Sequence, residues 1–170
     1  MPDATAMNYD TPEGAVLRLL LVAGRRVIDH RHRGDSWKHA PEALIAAASR
    51  NLAQTLPVKN LGLAHIDLAD TIVYAAFAMA NTTASSPEEC LLRYVGAALR
   101  RVVANRDRAE QWREASAEAQ IAKAHTQLLV AQAETTLADA RDEALADAGV
   151  YAAFAAYLLS LEPREESAAA

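Results

Sequence analysis

Residues 25–39, RRVIDHRHRGDSWKH, bring together Arg25, Arg26, Arg31, Arg33 and Lys38, three of the five histidines, and Trp37. Such a stretch has four possible chemistries: a metal site, a phosphate contact, an adhesion motif, or the polar end of a helix. His30 and His32 are two apart, so on a helix they point to different faces and cannot chelate together. Only an extended loop would bring them together with His39. Tighter ligand pairings such as HExxH or CxxC are absent, so no metal site is expected. Arg33-Gly34-Asp35 spells an integrin-binding tripeptide, but the opening MPDATAMNYD has no basic region followed by an apolar run, and hence no secretion signal. The simplest account is a helix C-terminus: cations interact well with the dipole there, Gly34 stops the helix, and Trp37 folds back onto the core.

A second basic cluster lies further on. Arg93, Arg100, Arg101 and Arg108 fall within about a 100° stripe on a helical wheel. The chain as a whole carries a net charge of −5, so these two clusters leave the remainder strongly acidic. A solvated face is the plainest explanation of the stripe. Lying beside residues 25–39, it would instead make one patch suited to phosphate-backbone contact, with Trp37 as a stacking element. The overall acidity argues against a dedicated DNA-binding domain. A helix-turn-helix over residues 42–80 fits poorly, because the would-be recognition helix starts with His65, Asp67 and Asp70.

No catalytic constellation stands out. Asp67 and Asp70 form one acidic set, and Glu134, Asp139, Asp142 and Glu143 form another. Neither matches the paired ExxE and ExxD motifs with which helical pyrophosphohydrolases hold magnesium. Walker, GxGxxG and GxSxG motifs are absent, so no cofactor is expected. Cys90 is the only cysteine, in the first turn of a helix beside Glu88 and Glu89, and reads as a small buried hydrophobe. A reducing, cytoplasmic setting fits that usage.

The elements that would position these groups are all helical. The chain has 170 residues and is 52% hydrophobic, but 40 of the apolar residues are alanine, which favours helix and buries little area. Close helix contacts around a thin core follow. Thr11-Pro12-Glu13 opens a helix to about Asp29, with Leu17, Leu20, Leu21, Val27 and Ile28 on one face. Val16, Leu19 and Val22 widen that face, which suggests a central helix. A second helix runs from Pro41 to before Pro57, and a third from His65 to Asn81. The apolar windows Ala15–Gly24, Thr71–Ala80 and Val150–Leu161 are each shorter than the roughly 18 residues a membrane span needs. His65, Asp67 and Asp70 spoil the longer window from Leu61, so no membrane association is expected.

Ser86-Pro87-Glu88-Glu89 is a capping box that starts a fourth helix. Its apolar face is read as Leu92, Val95, Leu99, Val102 and Val103. No glycine or proline then occurs between Gly96 and Gly149. Two continuations fit. The helix projects as a rod of about 78 Å, or it breaks at Asn105 and restarts through a capping box at Asp107 and Glu110. The rod is the preferred expectation, as nothing local forces a break.

The expected architecture is all-α. A flexible arm at residues 1–10 precedes a helical core at 11–104. A long alanine-rich helix at 105–148 projects from it and is weakly coiled-coil-like. Gly149 stops that helix, a short apolar helix spans 149–161, and a disordered tail covers 162–170. The expected function is that of a non-enzymatic interaction or regulatory protein, self-associating through Trp112, Leu128, Val130, Leu137, Phe154 and Leu158. Homo-oligomers and an unspecified protein are the expected partners. A nucleic-acid accessory protein using the basic residues above is the alternative, and a metal-dependent hydrolase the third reading.

Overall fold

The computed structural model describes residues 10–30, 36–56, 60–80, 83–105, 110–133 and 138–161. Those residues form an all-α helical bundle with no strand among them. Residues 1–9 of the expected arm at 1–10 and the tail at 162–170 lie outside the described residues, and Asp10, the last residue of that arm, accepts a hydrogen bond from the Tyr157 hydroxyl.

Helix α1, Pro12–Asp29, starts as its sequence dictates: the Thr11 hydroxyl accepts the Gly14 N–H at 3.0 Å, and Pro12 occupies the first turn. Helix α2 is Pro41–Ala53. Helix α3, Leu61–Ala80, begins four residues before the expected His65, because the Asn60 side chain accepts the Leu63 N–H at 3.0 Å and caps it. By length and composition Leu61–Met79 could cross a bilayer. Here 56% of that stretch is buried, and the helix packs against α1, α2 and two later helices.

Helix α4, Pro87–Ala104, opens at the Ser86 cap, whose hydroxyl accepts the Glu89 N–H at 3.1 Å. The Glu89 carboxylate closes the box one residue earlier than the standard pattern, on the Ser85 N–H at 2.6 Å.

The projecting rod is not formed. At Asn105 both the backbone N–H and the side-chain amide turn back to the Arg101 carbonyl, each at 3.1 Å, and the helix ends. The chain then folds back. Trp112 packs between Phe154 and Tyr157, with ring centroids 5.1 and 4.6 Å away. Arg113 lays its guanidinium over Trp112 and Tyr157. The expected capping residue Asp107 lies outside the described residues. Ser116 serves as the observed cap, accepting the Ala119 N–H, and starts α5 at Ala117–Gln132.

The last helix, α6, is Ala138–Ser160, far longer than the expected 149–161. Gly149 is therefore no helix stop. A Cβ there would lie 2.7 Å from Cε1 and 2.8 Å from Cζ of Tyr94, closer still to its hydroxyl, so only glycine fits. Tyr94 in turn donates its hydroxyl to the Leu145 carbonyl of α6.

Burial also shifts the centre of the fold. Helix α6, not α1, is covered on nearly every side, from Ala144 through Val150 and from Ala152 through Tyr157. It packs against α1, α3, α4 and α5. Small alanines permit so many close neighbours, since each backbone comes nearer than bulky side chains would allow. One continuous core cluster joins Ala15 of α1 to Leu159 of α6, so Ala104 marks no boundary in the packing.

Gly149→Ala should destabilise the protein by about 1–3 kcal/mol, despite the gain in helix propensity, because the site is overpacked. Chemical denaturation measures this. Tyr94→Phe, which removes the hydroxyl nearest that Cβ, should recover part of the loss in the double variant.

Candidate functional site

Two of the described basic residues are held within the fold rather than offered to solvent. Arg26 is clamped to Asp70 of α3 by two hydrogen bonds of 2.9 Å. Arg101 is clamped to Asp147 of α6 at 2.8 and 3.0 Å, with Glu143 a further 3.9 Å contact. In each pair the carboxylate raises the arginine pKa, chiefly through the side-chain hydrogen bond. Both arginines are thus neutralised and tie helices together. Arg101 faces α6 rather than solvent, which corrects its place on the expected stripe.

Arg93 is exposed but spends its charge on Glu89 at 2.7 Å and on Thr83. Glu89 is held down to about 2, first by the Ser85 hydroxyl, then by the Ser85 N–H, then by Arg93. Arg25, Arg100 and Lys38 are exposed. Trp37 is half-buried and packed on the core, as its fold-back predicts, with the Lys38 ammonium 5.4 Å from its ring centroid. Arg31, Arg33 and Arg108 lie outside the described residues.

The residues expected to self-associate also divide. Trp112, Leu128 and Phe154 are buried inside this chain's own core, so they offer no surface to a partner. Leu158 packs half-buried on that core. Val130 is exposed, and Leu137 lies outside the described residues. The physical reason is the fold-back at Asn105: α5 and α6 satisfy each other instead of a second rod.

Among the described residues the acids and the thiol do not converge. Asp70 serves Arg26, and the Asp67 pKa is raised by desolvation and by Asp70. Glu134 lies outside the described residues, and among those described no three potential metal ligands converge. Burial pushes the Cys90 thiol up to about 11, so it stays protonated.

What the structure does bring together is apolar and outward-facing. Helix α4 buries Cys90, Leu91, Tyr94, Ala98 and Val102. Of the face read from the sequence only Val102 is fully buried: Leu92 is 71% and Val103 66% exposed, while Val95 and Leu99 are half-buried. Helix α1 repeats the arrangement. It buries Val16, Leu19, Leu20 and Val27, but Leu21 is 58% and Ile28 59% exposed, and Leu17 is half-buried.

Leu17, Leu21, Gly24 and Ile28 follow a spacing of four, three and four residues; Leu92, Gly96, Leu99 and Val103 follow the same spacing. Each set makes one stripe along its helix.

Helices α1 and α4 pack together. The end of α1 and the start of α4 line one cavity through Val27, His30 and Pro87. At the other end Arg113, beyond α4, contacts Asp10, just before α1. The pair is therefore antiparallel. Arg26 and Arg18 turn one flank of α1 toward α3 and α6, and Arg101 turns one flank of α4 toward α6.

Comparison of the chain with protein families, curated proteins and solved structures finds no match.

Asp70→Asn and Asp147→Asn should each cost about 1.5–3 kcal/mol in chemical denaturation, the loss of charge-assisted hydrogen bonds in partly buried pairs. For Glu89 the folded pKa lies below the ordinary 4.5. Its contribution is therefore present above that value and is lost as pH falls toward about 2. Amide protection factors at the start of α4, measured against the intrinsic exchange rate at each pH, should fall across that window, and Glu89→Gln should abolish this pH dependence.

Proposed function

We propose that this chain is a non-enzymatic helical interaction protein that works by docking the α1–α4 face onto another helical protein surface. The observation that carries this reading is the outward exposure of Leu21, Ile28, Leu92 and Val103 on two adjacent helices. Exposed apolar residues scattered singly need no explanation, whereas a contiguous patch marks an interaction site. The remaining exposed area of these four residues is worth roughly 1–2 kcal/mol each on burial. That sum is comparable to the cost of association, so the half-buried Leu17, Val95 and Leu99 must add to the contact.

The charge distribution supports a protein partner over a polyanion. The face is bordered by both signs, with Arg25 and Asp29 on α1 and Glu88 and Arg100 on α4. Arg26 and Arg101 are held by carboxylates of this chain and are not offered to phosphate. Regulation by occupancy of this face is the role such a surface would serve.

Hydroxyl-radical footprinting in cells expressing the protein tests the reading. Leu92 and Ile28 should be protected there, relative to the exposed Leu63 and Leu129 on other helices. Equal labelling of all four would overturn it.

A further inference from the structure

We infer that the occupant of the α1–α4 face is a second copy of this chain, with Gly24 and Gly96 as the points where helices of opposite copies come closest. This rests on the docking reading of the same face. Glycine inside a helix is about 1 kcal/mol worse than alanine. Gly149 repays that cost within the chain, because Tyr94 lies against it. The other two do not. A Cβ on Gly24 would meet nothing within 4 Å, and one on Gly96 would meet only the Arg100 guanidinium at 3.4 Å, the free end of a long side chain. Among the described residues no contact calls for either glycine.

Both sit mid-helix, inside the exposed apolar stripes. Leu21 and Ile28 flank one; Leu92 and Leu99 flank the other. A bare Cα between two large apolar side chains is a hole between knobs, the form that lets another helix approach closely. The face carries knobs and holes at the same spacing on two antiparallel helices, so it is complementary to itself about a twofold axis.

Size agrees. Two 18-residue helices are each about 27 Å long and lie about 8–10 Å apart. The flat footprint is roughly 500 Å², and side-chain relief raises it toward the ~800 Å² per partner of a stable interface. The mixed charges at its borders do not set a copy against itself.

The test uses the purified full chain and the variants Gly24→Gln and Gly96→Gln. Glutamine favours helix over glycine, and at Gly24 the space outside is open, so folding is not at risk. Sedimentation from nanomolar to high micromolar concentration should show the wild type as a reversible dimer. Each variant should melt no lower than wild type when dilute, yet dimerise about tenfold or more weakly. Variants that dimerise like wild type overturn the inference. So does a wild-type chain that stays monomeric throughout; if the face is nevertheless protected in cells, docking stands and only the identity of the occupant falls. A monomer that floats with anionic lipid vesicles would assign the face to a membrane surface and overturn the inference equally.

Discussion

The fold depends on how closely α4 can lie against α6. Tyr94 rests on the bare Cα of Gly149 and hydrogen-bonds the Leu145 carbonyl, and no larger residue at 149 would leave room. This contact sets the rotation of α4. With Tyr94, Ala98 and Val102 turned inward, Leu92 and Val103 have to point out. The buried side of α4 is thus chosen by fit rather than by bulk. The same choice recurs on α1, where the smaller Ala15, Gly14 and Ala23 join the buried side and Leu21 and Ile28 do not. The candidate interaction face is therefore a direct consequence of tight packing elsewhere.

Charge pairs reinforce that geometry. Arg26–Asp70 and Arg101–Asp147 link residues 44 and 46 apart in the chain and hold α1 and α4 at fixed rotations over α3 and α6. Arg18, which donates to the Ser160 hydroxyl, adds a weaker tie at the far end of α6. One arginine from each basic cluster of the sequence, Arg26 and Arg101, is thus structural.

Local signals in the sequence were legible where one turn of chain decides the outcome. Thr11 with Pro12 and Ser86 with Pro87 both mark true helix starts, and alanine content with scarce glycine points to an all-α bundle. What was not legible needed a partner distant in sequence. Gly149 resembles a helix stop until Tyr94 is seen beside it. The break at Asn105 is one of two continuations the sequence allows, and the packing of Trp112 on Phe154 and Tyr157 goes with that break rather than with the rod. Leu92 and Val103 look like core residues, because α4 has two apolar stripes and periodicity cannot say which one is covered. One signal was available: Gly24 and Gly96 share the exposed stripes, and that equal spacing is visible in the sequence alone.

The most direct test of the central claim is solvent paramagnetic relaxation of the side-chain methyls in the intact protein, recorded at high and at low concentration. The account predicts that Leu21, Ile28, Leu92 and Val103 are shielded at high concentration and become accessible on dilution, while Leu63 and Leu129 stay accessible at both. Methyls on the α1–α4 face that relax as fast as those of Leu63 and Leu129 at every concentration would contradict it.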